Sequence, residues 1–277
     1  MDGKRPPYDL KAPGPTGSGS PMHLPRRGLF PRLDDHLVVP ELTREEIIGG
    51  RRVVSMPAKP PHATQHTRLD YVIEPNVAPG YQAATDLLTR HDEESDFASD
   101  TCVFKDGADP ETGARYLEEI AFEVVSEQND GLVTEKAVRM HRRGVRRIFA
   151  IWVKGQRICE WASENRNWRL LDHGASIEDP CLVKPLAVAA LLDAAAADHA
   201  VVEALAAKGS PAIQERDAAA KAVGMAEAIL QFLEARGLEV SEAQRQEILG
   251  GRDLDRLRRW LRRAATLASV DEVLSGP

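Results

Sequence analysis

The feature that most constrains the fold is a nearly continuous apolar run, IAFEVVS, at residues 120–126. A strand of this composition is usually buried on both faces, as in sheets that helices cover on either side. A similar run occupies residues 148–153, and a helical pattern over residues 132–143, ending at Gly144, separates the two runs. The order strand, helix, strand therefore predicts an α/β core.

The segments on either side of this core extend the predicted sheet. Further strand patterns occur at residues 53–54, 81–89, 100–104, 157–161 and 168–171. Two helices are predicted before the core. One covers residues 62–74 and is closed by Pro75, and the other covers residues 42–48 and opens at Thr43, which has the Thr-x-x-Glu spacing of a capping box. The result is a mixed sheet with helices around it.

The amino-acid composition changes near both ends of the chain. Helical patterns rich in Ala and Leu cover residues 187–207, 211–236, 241–249 and 253–267. They predict a C-terminal α-helical appendage, either as an antiparallel pair of helices or as the arm of a homodimer. At the other end, prolines and glycines dominate and apolar periodicity is absent, which predicts a flexible tail or, alternatively, an extended strap over the domain. We therefore divide the chain into residues 1–36, 37–193 and 194–277.

Charge and cysteine content exclude several classes of protein. The chain has 36 Lys and Arg against 43 Asp and Glu, a net charge of −7, so any nucleic-acid contact must be local. Its three cysteines lack CxxC spacing, which disfavours a disulfide scaffold or a structural zinc site. No apolar run approaches the ~20 residues that span a bilayer. A cytoplasmic protein without a membrane partner is predicted.

A carboxylate inside the central apolar run is the first chemical signal. Burial of Glu123 costs several kcal/mol unless a cation or hydrogen bonds compensate it. Asp100 opens its own short strand upstream, and Lys136 lies in the first turns of the helix that follows. Two carboxylates and a lysine at strand ends suit a hard divalent cation and the hydrolysis of a phosphodiester. The alternative is structural: Asp100 caps a turn, Glu123 pairs with an arginine, and Lys136 faces solvent.

Several motifs in order add a resemblance to a known family. They are EIIGG at residues 46–50, PAKPPH at 57–62, SDTCV at 99–103, FEVVS at 122–126 and EKAVRMHRRGVRRIFAIWV at 135–153. In order and spacing they resemble the Uma-two family of restriction-endonuclease-like proteins, within the PD-(D/E)XK nuclease superfamily. The resemblance covers about residues 41–193. Ser99, Met140 and a shortened loop at residues 129–131 depart from the family pattern.

The resemblance implies an α/β fold with a restriction-endonuclease-like mixed sheet flanked by helices. It implies that Asp100 and Glu123 are ligands of Mg²⁺ or Mn²⁺. Val125 stands where the superfamily usually has its lysine, two places after the glutamate. The resemblance then points to Lys136 as a displaced catalytic lysine and to Glu46 as an auxiliary acid.

Basic residues after the central strand suggest a partner. Arginines follow Lys136 at positions 139, 142, 143, 146 and 147, namely Arg139, Arg142, Arg143, Arg146 and Arg147. This patch would position a DNA backbone, or it is simply a solvated face. His62 and His66 would contact phosphate or water, or have a structural role, and His141 should face solvent.

Two functions from different classes follow. The first is a divalent-metal-dependent endonuclease that hydrolyses DNA. The second is a catalytically degenerate nuclease-fold protein that binds nucleic acid or protein through its basic helix and helical tail. A purely structural oligomerisation protein would fit the tail but leaves Glu123 unexplained. The position of the Lys136 ammonium discriminates between the first two.

Overall fold

The computed structural model describes residues 31–32, 37, 45–54, 59–126 and 130–275. Within these residues the core is an eight-stranded sheet in the order β2-β1-β4-β5-β6-β7-β8, with β3 paired to β4. The strands are β1 (Glu45–Ile48), β2 (Arg51–Val54), β3 (Tyr81–Asp92), β4 (Ser95–Lys105), β5 (Glu118–Val125), β6 (Arg147–Trp152), β7 (Arg157–Ala162) and β8 (Asn167–Leu170). All pairings are antiparallel except that between β5 and β6.

Helices lie on the sheet and continue beyond it. They are α1 (Pro60–Asn76), α2 (Asp130–Arg143), α3 (Ala194–Ala207), α4 (Pro211–Ala235), α5 (Glu242–Gly250), α6 (Leu254–Ala264) and α7 (Val270–Leu274). A small ribbon joins β9 (Ser176–Ile177) to β10 (Leu186–Ala187). A mixed sheet flanked by helices and followed by C-terminal helices confirms the predicted fold class. Among the described residues, every helix is too short or too polar to span a bilayer.

Strand β5 is buried on both faces, as the apolar run predicts. Phe122 and Val124 belong to the same apolar cluster as Ile73 of α1. Ala121, which points to the other face, packs in a second cluster with Ala137 of α2. Helices α1 and α2 thus cover opposite faces of the sheet, and α2 is the crossover that parallel pairing of β5 and β6 requires.

The first strand corrects a sequence prediction. Residues 45–48 form β1 rather than the end of a helix, and residues 42–44 lie outside the described part of the chain. Gly49 and Gly50 have φ values of 57° and 71°, which suit the tight turn between β1 and β2. Pairing of β1 with both β2 and β4 outweighs the local capping-box signal, since the Thr-x-x-Glu spacing is satisfied only in a helix.

Other boundaries also differ from the predictions. The helix predicted over residues 187–207 begins only at Ala194, because Leu186–Ala187 pair with β9 as a strand. Strand β4 begins at Ser95 rather than at residue 100, because pairing with β3 continues along its whole length. Helix α1 runs through Pro75 to Asn76, so this proline does not close it. The predicted tail at residues 1–36 lies outside the described residues, apart from residues 31–32. The domain boundaries stay predictions.

The edge of β4 is shared between two strands, and this arrangement creates the site. Strand β1 pairs with the beginning of β4, and β5 pairs with it from Thr101 onwards. Between the two pairings, the backbone of Ala98 bonds to side chains. Its N–H donates to Glu46 Oε1 at 3.1 Å, and its carbonyl accepts from Lys136 Nζ at 2.9 Å. Ionisable groups therefore satisfy backbone groups that neighbouring strands leave open.

Helices α4 to α7 share an apolar cluster of their own. Its members include Leu257 and Trp260 of α6, which are fully or almost fully buried. The amphipathic character of residues 253–267 thus serves packing between these helices. Dimerisation through them stays a prediction.

Helix α5 begins with a reciprocal cap, which gives a stability prediction. The amide of Gln244 donates to Ser241 Oγ at 3.3 Å, and Gln244 Oε1 accepts from the amide of Ser241 at 2.9 Å. We expect Ser241→Ala to lower the free energy of unfolding by about 1 kcal/mol and to speed amide exchange in α5. Ser210→Ala is the control, because Ser210 begins α4 without a side-chain cap. Equal effects of the two substitutions would contradict this explanation.

Candidate functional site

Asp100 and Glu123 lie on neighbouring strands. In the antiparallel pair of β4 and β5, Thr101 lies opposite Phe122. Asp100 precedes Thr101 and Glu123 follows Phe122, so the two acids are neighbours across the two strands. The amide of Val124 donates a hydrogen bond to Asp100 Oδ2, which holds this carboxylate against β5. The two acids therefore lie side by side on adjacent strands.

Glu123 is the unusual group of the site. Its side chain is 2% exposed, and its Oε1 has no hydrogen-bond partner among the described residues. Burial raises the pKa of Glu123 to about 8, with Lys136 opposing this shift and the charges of Asp100 and Glu46 adding to it. A buried carboxylate oxygen without a partner is costly in the chain alone, and a cation ligand is one role that removes the cost.

Lys136 points into the site rather than into solvent. Its Nζ lies 3.0 Å from Glu46 Oε1 and 3.5 Å from Glu123 Oε2, and it stands 5.1 Å from the centroid of the Phe97 ring. Burial lowers the pKa of Lys136, but Glu123, Glu46 and Asp100 outweigh burial and raise it. The ammonium is therefore charged at neutral pH. The alternative that places Lys136 at the surface is wrong.

The register of α2 explains how Lys136 reaches the site. Its buried positions are Val133, Lys136, Ala137 and Met140. These positions have the i, i+3, i+4, i+7 spacing of one helix face, so the lysine stem belongs to the stripe that packs on the sheet. Val125, two residues after Glu123, is 3% exposed and packs among apolar side chains. Of these two positions, only Lys136 brings a cation to the carboxylates.

Glu46 joins the site from β1. Its Oε1 accepts hydrogen bonds from Lys136 Nζ and from the amide of Ala98. Glu46 and Glu123 thus both hold the Lys136 ammonium. The four residues predicted as catalytic, Glu46, Asp100, Glu123 and Lys136, come together, although only the strand pair and the face of α2 were predictable.

The histidines of α1 lie beside Asp100. His66 Nε2 donates to the backbone carbonyl of Asp100 at 2.6 Å, and the rings of His62 and His66 are 6.0 Å apart between centroids. Burial lowers the pKa of His66, but the bond to Asp100 and the charges of Asp100, Asp70 and Asp86 raise it overall. The spacing of four residues between the histidines was the sequence signal for a shared helix face.

Asp86 was missed by sequence reasoning. It lies in β3 between Thr85, which pairs with Thr101, and Leu87, which pairs with Ser99, and therefore stands across from Asp100. Its φ of 52° is rare for a residue other than glycine. Residues with such backbone conformations cluster at functional sites. Burial raises the pKa of Asp86; His66 opposes this shift, and Asp100 adds to it. No motif in the sequence distinguishes this aspartate from the others.

The predicted arginine patch is divided among acidic partners. On α2, Arg139 Nη1 lies 2.7 Å from Asp92 Oδ2, and Arg139 Nη2 lies 3.1 Å from Glu135 Oε1. Arg143 is half-buried and donates to the carbonyl of Pro31. These contacts use the charge of α2 inside the fold instead of presenting it as a single basic surface.

The two arginines after α2 are also engaged. Arg146 forms two hydrogen bonds, of 2.7 and 2.8 Å, with the carboxylate of Asp179, whose side chain is 1% exposed. Arg147 Nε lies 2.6 Å from Glu160 Oε1. Arg142 is exposed and forms no ion pair within the described residues. His141 is also exposed, as the sequence predicts. The other four predicted arginines all bond to groups of the described part of the chain.

A comparison with solved structures gives a partial likeness. No protein-family model and no curated protein matches the chain. A crystal structure from Anabaena variabilis, described as a "putative nuclease belonging to DUF820", matches 53% of this chain and 89% of its own. The sequences are 16% identical, and the TM-score is 0.45. Membership of the Uma-two family stays a prediction.

Proposed function

We propose that the chain is a divalent-metal-dependent endonuclease that hydrolyses DNA phosphodiester bonds, within the PD-(D/E)XK superfamily and similar to the Uma-two family. The observation that carries the proposal is the Lys136 ammonium, which comes from α2 to within 3.5 Å of Glu123 Oε2. Its position supplies the cation that Val125 lacks. In a degenerate binding module this ammonium would serve only the fold, through its bond to the carbonyl of Ala98.

The donor set fits a hard cation. Asp100 and Glu123 supply carboxylate oxygens, which Mg²⁺ and Mn²⁺ prefer. The unpartnered Oε1 of Glu123 supports this fit, since its burial is otherwise uncompensated. When bound, the cation would neutralise charge on the scissile phosphate and make a water molecule more acidic.

The residues of the chain have distinct roles in this proposal. Lys136 stays protonated, because acids surround it, and therefore offsets the charge that develops on the phosphate rather than removing a proton. Glu46 orients the ammonium through the bond of 3.0 Å. Phe97 packs beneath it and keeps water from that side. The charge is thus held in place before the substrate arrives.

Contact with DNA must be local in a chain of net charge −7. Arg142 extends from α2, the helix that carries Lys136, and its charge is unused within the described residues. We assign it a contact with a phosphate of the bound DNA. The other arginines of the predicted patch support the fold more than the substrate.

Cleavage of supercoiled plasmid by the full chain tests the proposal. We expect nicked and linear products with Mg²⁺ or Mn²⁺ and none with EDTA. Glu123→Gln, purified in the same way, controls for contaminating nuclease. If the wild type binds DNA but does not cleave it with either metal, the degenerate binding module becomes the better explanation.

A further inference from the structure

We propose that His62, His66 and Asp100 form a second cation site, one that takes a divalent transition metal such as Zn²⁺. One ring nitrogen of each histidine and a carboxylate oxygen of Asp100 lie within 4.8 Å of one another. The site adjoins the pair of Asp100 and Glu123 and shares Asp100 with it. Its participation in DNA cleavage rests on the proposed function, whereas its metal binding does not.

The backbone presents the three ligands without rearrangement of the fold. His62 and His66 are one turn apart on α1, so their rings leave the helix on one face. Strand β4 brings Asp100 to that face, where His66 Nε2 donates to its carbonyl. All three side chains are half-buried, which leaves a path for an ion.

The distances are close to those of a bound site. Zinc bonds of about 2.0–2.1 Å in a tetrahedron place ligand atoms roughly 3.3 Å apart. The observed separations, at most 4.8 Å, therefore need to shrink by no more than about 1.5 Å. Rotation of histidine side chains covers such a distance. Three protein ligands leave the open position that catalytic zinc sites keep for water or substrate.

The surroundings fit a cation. Thr101 Oγ1 donates to Asp70 Oδ1 at 2.6 Å, and Asp70 Oδ2 lies 4.0 Å from His66 Nε2. Carboxylates and carbonyls that bond a histidine ring commonly orient metal ligands. Asp86 adds a further carboxylate across the strand pair, so the local charge attracts a divalent ion.

The ligand types set the preference of this site. Imidazole nitrogens favour Zn²⁺ and its neighbours in the first transition row, whereas Mg²⁺ prefers oxygen. The two proposed sites would therefore select different ions although they share Asp100. A transition metal at the histidines would also fix the position of the Asp100 carboxylate beside β5.

Metal titration of the full chain without DNA tests the inference. Calorimetry with Zn²⁺ is carried out in excess Mg²⁺. Binding of Co²⁺ is followed by its visible absorption, which reports a site of low coordination number. We expect one tight site in the wild type and at least about 100-fold weaker binding in His62→Gln, a larger loss than outer-shell changes cause. His141→Gln, an exposed histidine on α2, should bind as the wild type does.

Other outcomes would overturn the inference. These are the absence of Zn²⁺ and Co²⁺ binding in the wild type, or unchanged binding in His62→Gln. Loss of Zn²⁺ binding in Glu123→Gln but not in His62→Gln would place the ion in the nuclease centre instead. Thermal melts show that each variant is folded. Plasmid cleavage reports separately on the proposed function, because its failure leaves the Zn²⁺ titration unaffected.

Discussion

Replacing Lys136 with methionine is expected to reduce plasmid cleavage by at least about 100-fold, because removal of one preorganised charge at a reacting group has an effect of this size. Methionine keeps most of the apolar stem that packs on the buried face of α2. The substitution removes the bonds to Glu46, Glu123 and the carbonyl of Ala98. Cleavage is measured at saturating Mg²⁺ and at a fixed pH.

Stability and a matched lysine serve as controls. The unpartnered carbonyl of Ala98 should lower the free energy of unfolding by about 1–3 kcal/mol, so circular dichroism must show that the variant is folded. Lys184→Met removes a lysine that pairs with Glu203 at 2.7 Å, far from the site in sequence and outside its contacts. It should cleave within twofold of the wild type. Cleavage by Lys136→Met within the same range would remove Lys136 from the mechanism.

The second large effect concerns acid sensitivity of the fold. His91 is 2% exposed, its Nδ1 has no partner among the described residues, and its ring stacks on Phe97 with centroids 4.0 Å apart. Burial, together with the charges of Lys136 and Arg143, lowers the pKa of His91 to about 3. The folded chain therefore keeps this ring neutral at mildly acidic pH.

The unfolded state decides whether acidification raises or lowers the stability of the fold. An unfolded histidine binds a proton below about pH 6.5, whereas folded His91 does not until about pH 3, so stability falls as the pH falls between these values. At pH 4.5 this histidine should account for about 2–3 kcal/mol of lost stability. His91→Phe keeps the stacking and should reduce the loss by that amount.

Urea unfolding at pH 7.5 and pH 4.5 measures the difference. His173→Phe is the control, because His173 is exposed and its ring bonds to the backbone carbonyl of Gln156. If His91→Phe and the wild type lose the same free energy on acidification, His91 is not the source of the acid sensitivity.

The sequence predicts those parts of the site that depend on local pattern. The apolar run places Glu123 in a buried strand, and the short β-prone segment places Asp100 on its neighbour. The helical period of α2 puts Lys136 on the same face as Met140. These positions follow from strand and helix periods, which read directly from residue order.

The parts that were missed depend on pairing between distant segments. Residues 45–48 become a strand because β4 accepts them at its edge, and no local signal reports this contact. Asp179, 33 positions away in the sequence, neutralises Arg146. The basic run alone therefore does not predict how much of its charge is available to a partner. The same holds for Asp86, whose backbone conformation arises from its place opposite β4.

The bonds to Ala98 change what a comparison of related chains would reveal. Glu46 and Lys136 complete the hydrogen bonding of β4, and a chain that lost either would weaken its sheet whether or not it cleaved anything. Retention of these two residues would therefore report selection for folding as well as for chemistry. Glu123 Oε1 bonds to no described residue. Its other oxygen bonds to Lys136 and to no backbone group of β4 among the described residues, so a lineage released from catalysis should change position 123 before positions 46 and 136.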